Sequence, residues 1–177
     1  MTTLTIPTIE TENLRLRAPR LSDFDAYAAF RTDPVRMAGM GGACTRAQAF
    51  DKLSEIIGHW TLRGYGRWMV ADKSTDRPMG VVGCYFPDDW PEPEIAWSVF
   101  AEAEGRGVAF EAAVAARDYA YQTLGWATAV SCIPHGNTRS LALAKRLGAQ
   151  QEPAFQTVDG WQLHVFRHPA PEALTCA

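Results

Sequence analysis

No C-x-x-C pair occurs in this chain of 177 residues; its four cysteines, Cys44, Cys84, Cys132 and Cys176, lie far apart. Such scatter excludes a clustered zinc site or a disulfide frame and predicts reduced, mostly buried thiols. Histidine offers no metal motif either. His164 and His168 are four apart, but the strand-like Leu163-His164-Val165-Phe166 points them differently from a helical pair, so no metal is expected. Apolar runs long enough to cross a bilayer are missing, and Met1-Thr2-Thr3 leads into Thr and Glu rather than a basic start and apolar core. No membrane span or signal peptide is expected, and the setting predicted is cytoplasmic. An excess of positive charge is lacking as well. Lys and Arg total 17 against 20 Asp and Glu, a formal charge of -3 with a pI near 5.8, which argues against nucleic-acid or anionic-membrane partners. Repeats, low-complexity tracts and linkers are absent, which predicts a single domain over 1–177 with a core at about 10–168 and a frayed C-terminal tail.

What is there has the composition of a globular protein, 47% hydrophobic and 21% charged. Leu14-Arg15-Leu16-Arg17 alternates as a half-buried strand does. Ser22-Asp23 caps a helix that Asp33-Pro34 stops, and 37–43 reads as a glycine-rich loop. Thr45 caps a longer helix carrying Phe50, Leu53, Ile57 and Trp60 on one side, ended near Arg63 by Gly64. Strands at 68–71 and 80–86 form a hairpin about the turn 74–78, and 94–99 is a further strand. A helix from Gly107 to Leu124, a strand at 127–133, a helix from Asn137 or Thr138 to Gly148 and strands around 150–152 and 162–167 complete the chain. This order is an α+β or α/β layout with a mixed sheet.

One stretch organises the rest. Glu104-Gly105-Arg106-Gly107-Val108-Ala109 follows the strand Ile95-to-Val99 and opens the central helix. Backbone N–H groups in such a turn, with the helix dipole behind them, make an anion site, and two glycines let a phosphate approach. The dinucleotide fingerprint would need glycine at Phe110, and no P-loop occurs. A Gly-x-Gly turn is also common punctuation, so its neighbours decide its meaning.

The hexamer resembles the acyl-coenzyme A diphosphate loop of the GNAT acetyltransferases, Q/R-x-x-G-x-G/A, with Glu104 where Gln or Arg is usual. Asn137-x-x-Ser140 followed by Lys145-Arg146-Leu147-Gly148-Ala149 is similar to a second segment of that family, with Ala149 in place of Phe. Together with Thr11-Glu12-Asn13-Leu14-Arg15-Leu16-Arg17 the resemblance covers about 10–155. It lies nearest the Rim-type branch, the ribosomal-protein N-terminal acetyltransferases.

That resemblance implies a GNAT fold, a mostly antiparallel mixed sheet flanked by helices and splayed between the fourth and fifth strands, Ile95-to-Val99 and Ala127-to-Ile133. It implies acetyl transfer from acetyl-coenzyme A to a primary amine, small molecule or peptide, by direct attack in a ternary complex. Cofactor contacts fall to Trp97, Ser98, Val99, Glu104, Gly105, Arg106, Gly107, Val108, Ala109, Asn137, Ser140 and Lys145, with Arg106 and the backbone neutralising the diphosphate. The Tyr that many members use as thiolate acid is Ala144 here, so Ser140 takes that role by resemblance; the plain alternative is a first-turn helix residue. Asn137 both caps and contacts the cofactor. Glu94, heading the strand, is the candidate base against the reading of a solvated charge. His135 is an alternative acid or base, although a loop histidine is ordinarily just exposed. The Asp88-Asp89-Trp90-x-Glu92 loop suits an amine-bearing cation or is a solvated connection. Trp60, Trp68 and Trp97 read as core, and Cys132 as inert filling rather than a nucleophile. A coenzyme A-binding sensor without turnover is the rival function. Monomer and homodimer both stay open.

Overall fold

The computed structural model describes residues 5–174; Met1-Thr2-Thr3, Cys176 and the last residues of the expected frayed tail lie outside the described residues. Among the described residues there are eight strands: β1 (Ile9–Glu10), β2 (Leu14–Arg17), β3 (Arg67–Asp72), β4 (Pro78–Tyr85), β5 (Glu94–Val99), β6 (Val130–Pro134), β7 (Gln150–Gln156) and β8 (Gln162–Arg167). They form one sheet in the order β1-β2-β3-β4-β5-β6-β8-β7, antiparallel throughout except for β5 beside β6. The helices are α1 (Phe24–Thr32), α2 (Pro34–Met37), α3 (Arg46–Arg63), α4 (Val108–Gln122), α5 (Thr138–Arg146) and α6 (Pro171–Leu174).

Strand periodicity sorts the core onto two faces. Trp68, Val70, Val82 and Cys84 point toward α4, while Met69 and Val81 between them point toward α1 and α3. On its sheet side α4 presents Ala112, Ala113, Ala116 and Ala120, all fully buried, and these small side chains let the helix sit close over the strands. Glu111, on the flank of α4, ties down the β1–β2 connection: its carboxylate accepts from Thr11 Oγ1, Asn13 N and Asn13 Nδ2 at 2.5, 2.8 and 3.1 Å.

α3 follows its expected limits. Thr45 and Gln48 form a reciprocal capping box, and Gly64 ends the helix at φ 76°. Its buried face differs from the expected one. Ala49, Leu53, Ile56 and Trp60 are buried, whereas Phe50 and Ile57 are exposed. The 4-3-4 spacing of the buried set holds one line along the helix, and Phe50 instead meets the edge of Phe24 with ring centroids 5.3 Å apart. Asp23 is a second departure. It makes no side-chain cap to α1; its carboxylate accepts from Arg17 Nη1 and Nη2, both at 2.8 Å, and from Arg20 N at 2.8 Å. The loop expected at 37–43 is preceded by the short α2, which Asp33 caps.

The splay lies where the resemblance placed it, between the strands at 94–99 and 130–134. These are fifth and sixth in the chain because β1 was not anticipated. Only Glu94 and Val130 are in register, and beyond them the strands separate. Two side chains cross the divergence. Ser131 Oγ donates to the Ile95 carbonyl at 2.6 Å, and Cys132 N donates to Glu94 Oε2 at 2.8 Å.

Candidate active site

The splay opens into a cleft with two ends. One end, a cavity of about 750 Å³, is lined by Val99, Glu104, Gly105, Gly107, Val108 and Ala109, all expected there. Gly105 and Gly107 have φ of 73° and 77°, the left-handed region that glycine enters freely. No backbone N–H from Gly105 to Ala109 has a hydrogen-bond partner among the described residues. A Cβ added at Gly107 would meet nothing within 4 Å, so this turn faces open space rather than packed protein.

Charge at this end is arranged differently from expectation. Arg106 turns away, toward Asp72 Oδ2 at 3.7 Å and Met79 Sδ at 3.8 Å, and does not line the cleft. Lys145 is exposed and does not line it either. Arg36, Arg139 and Arg146 do. The spacing explains the last two: positions 139 and 146 are seven apart, two turns on one helix face, and Lys145 lies about 100° around from Arg146. Glu104 accepts from Arg36 Nη1 and from Arg139 Nη1, each at 2.6 Å, so the anomalous acid at the head of the loop gathers two arginines at the rim. Arg146 stacks over Phe110 at 4.1 Å. The helical register of α5 could have picked out Arg139 and Arg146; nothing local in the sequence marks Arg36.

At the middle of the cleft the two cavities share Met40, Trp97, Ser98, Asn137 and Ser140. Asn137 caps α5 by accepting from Ser140 N at 3.1 Å. Trp97, expected both as core and as a cofactor contact, packs half-buried against the core while also lining the cleft, and its Nε1 donates to Ser140 Oγ at 3.1 Å. Trp60 and Trp68 are core, as expected. Ala144, in the place of the family's tyrosine, is fully buried.

The other end, a cavity of about 510 Å³, holds Glu94. The alternative of a solvated charge does not hold: Glu94 is only 4% exposed, because β5 starts beneath the 87–93 loop and beside β6. Burial pushes its carboxyl up to about 7, while the Cys132 amide and the field of Arg67 oppose the shift. Trp90 and Asp89 of the preceding loop line the same cavity, but Glu92 is drawn off to Arg167, which also holds Glu152. Cys132 lies at this end with its thiol driven far up by burial and by Glu94 and Glu92, so it carries no thiolate near neutrality. His135 is exposed, stacks on His164 at 3.9 Å between centroids, and lines the opposite end from Glu94.

Behind the splay runs a buried polar chain that the sequence did not disclose. Arg117 donates to the Leu147 carbonyl at 2.8 Å and approaches His168 Nδ1 at 3.5 Å; His168 Nε2 lies 2.9 Å from Ser131 Oγ. Since the Ser131 hydroxyl donates to Ile95, its oxygen must accept the Nε2 proton, leaving Nδ1 to accept from Arg117. Burial and the Arg117 charge lower the His168 ring to about 3. The neutral imidazole thereby links α4 to the mouth of the splay.

The match to known proteins follows this geometry. Residues 13–150 match the family model described as acetyltransferase (GNAT) domain. An acetyltransferase from Agrobacterium tumefaciens str. C58 is 34% identical, with a TM-score of 0.84 over 96% of this chain and 98% of that one. A GNAT-family acetyltransferase from Bacillus anthracis shares the fold at 18% identity and TM-score 0.78, over 94% and 99%. Ribosomal-protein-S5-alanine acetyltransferase from Vibrio fischeri does so at 16% and 0.70, over 93% and 97%. The chain belongs to the GNAT acetyltransferase family and is an acyltransferase.

Proposed function

We propose that this GNAT family member transfers an acetyl group from acetyl-coenzyme A to a primary amine by direct attack in a ternary complex. The observation that carries the reading is the meeting, at Trp97, Ser98, Asn137 and Ser140, of an end lined by the glycine turn and three arginines and an end containing a buried carboxylate.

The fit to the cofactor rests on the unpartnered N–H groups of Gly105 to Ala109, the open side of Gly107, and the three arginines at the rim. The diphosphate would lie against the loop, with Arg36, Arg139 and Arg146 in place of Arg106. The β5 backbone at Trp97, Ser98 and Val99, unpaired on its β6 side, supports binding of an amide-bearing arm. When bound, acetyl-coenzyme A supplies the thioester whose acetyl group moves.

The chain's own residues account for the two proton movements. The amine nitrogen forms its bond to the acetyl carbon as the carbon–sulfur bond breaks, so the nitrogen must lose a proton and the sulfur must be stabilised. Glu94, its carboxyl raised to about 7 so that it binds and releases a proton near neutral pH, accepts the amine proton directly or through water. Ser140 already accepts from Trp97, so its own O–H remains to donate toward the departing sulfur. Asn137 orients that serine through the cap. No step passes through Cys132.

The test is calorimetric titration of acetyl-coenzyme A into the protein and into Gly107→Trp, followed by thiol release against a panel of amines. Binding lost in the variant and thiol released with an amine support the reading. Failure to bind would overturn it. Binding with no release from any amine would favour a sensor.

A further inference from the structure

Two arginines at the acceptor end form no ion pair among the described residues, although the field of Arg67 reaches Glu94. Arg31, in the last turn of α1, and Arg67, at the start of β3, both line the cavity that holds Glu94. Neither has a carboxylate within ion-pair distance among the described residues, although Asp89 and Asp159 line the same cavity. Many of the chain's other arginines are answered by acids: Asp76 receives Arg15, Arg17 and Arg20, and Glu104 receives Arg36 and Arg139, whereas Arg63 and Arg146 lie over aromatic rings outside this cavity.

No acid holds either guanidinium among the described residues. Arg67 lies 4.2 Å over the ring of Tyr85, a cavity residue, which positions the charge while leaving its N–H fork for a further partner. Arg31 has a buried Nε with no hydrogen-bond partner among the described residues. Burying that donor unpaired on a charged group is costly, and a carboxylate bound beside the same guanidinium offsets part of the cost through its charge.

We propose that Arg31 and Arg67 bind a carboxylate on the acceptor, so that the preferred amine is an amino-acid-like molecule or an acidic peptide end rather than a simple amine or polycation. This rests on the acetyl-transfer reading above. Glu94, Asp89 and Asp159 in the same cavity suit one amine, but a polyamine leaves both guanidiniums without an acceptor; a molecule bearing both groups places its amine toward Glu94 and its carboxylate on the arginine fork. The cavity, about 510 Å³ and bordered by Trp90 and Trp161, has the volume of a small-molecule site.

The experiment compares matched acceptors in the thiol-release assay: glycine, alanine, phenylalanine and glutamate, each against its own amide, and dipeptides with Asp or Asn in second place. The free amino acids and the peptides separate the two sources of the carboxylate. The wild type should prefer the acid of a pair, and the acid-to-amide ratio of kcat/KM should fall about tenfold to a hundredfold in Arg31→Gln and Arg67→Gln, mainly through KM. Arg31→Lys should recover part of the ratio. Equal use of acid and amide by the wild type, or an unchanged ratio in both variants, would overturn the proposal. Acetyl-coenzyme A titration of each variant reports folding. Should no amine turn over, the acetyl-transfer reading fails separately, and the carboxylate site is read from the quenching of tryptophan fluorescence in coenzyme A-loaded protein. There N-acetylphenylalanine should bind and its amide should not; equal binding of the two would sink the site.

Discussion

Trp97 Nε1 donates to Ser140 Oγ at 3.1 Å, and this one bond joins β5 to α5 across the open part of the splay. It occupies a lone pair of the hydroxyl and leaves the hydroxyl proton available to the cleft. A serine at the start of a helix is thereby aimed as a donor.

Ser140→Ala should lower kcat roughly 100-fold with little change in acetyl-coenzyme A affinity, because the lost interaction matters most as charge collects on sulfur. Trp97→Phe keeps the hydroxyl but removes its orienting donor, and a smaller loss of about fivefold is expected. Steady-state rates with calorimetric Kd values check both. Equal losses in kcat and in cofactor affinity would show that Ser140 serves binding alone.

Glu94 is active as a base only when ionised, so kcat/KM should decline as pH falls below about 7, and Glu94→Gln should lose that limb along with most of the rate. The same raised value acts on stability in the opposite direction. The folded state holds the proton to higher pH than the unfolded chain, so the buried carboxylate costs stability as pH rises from about 4.5 to about 7. At pH 8 the variant should therefore melt above the wild type, a gain on the order of 2–3 kcal/mol in chemical denaturation. Decreased stability at that pH would contradict the buried charge.

His168 titrates the other way. Its folded value lies near 3 and its ordinary value near 6.5, so the unfolded chain binds the proton first as pH drops. Stability should be whole above about pH 6.5 and fall toward pH 3, by at most about 1.4 kcal/mol per pH unit. His168→Gln should flatten that slope in melts between pH 4 and 6.5. A slope equal to the wild type would mean that other groups govern acid unfolding.

Arg17 and Asp23 are buried together, 3% and 1% exposed, in a two-bond ion pair. Asp23→Ala leaves the guanidinium without its buried partner and removes the acceptor for Arg20 N; a loss of about 3–5 kcal/mol is expected by urea denaturation. Asp76, which also bonds Arg17, should keep the cost toward the lower end of that range.

Much of this molecule was legible in one dimension. The period of two in Leu14-Arg15-Leu16-Arg17, the capping box at Thr45 and Gln48, and Gly64, Gly107 and Gly148 at helix ends are local signals, and local backbone chemistry decides them wherever the segment packs. The same holds for the glycine turn before α4 and for Asn137 with Ser140, which share one helical turn.

Tertiary structure decided the rest, because burial and side-chain partners depend on residues distant in the chain. Glu94 became a buried group of raised proton affinity only because β6 and the 87–93 loop cover the start of β5. Trp97 packs against the core and reaches Ser140, 43 positions away. Arg106 was captured by Asp72 while Arg36 arrived from α2, 68 positions before the Glu104 it bonds. Arg117, His168 and Ser131 became one polar chain because α4, the end of β8 and β6 converge behind the splay. A sequence sets which backbone segments bend and where; which charges then face one another, and at what cost in lost water, is settled when those segments meet.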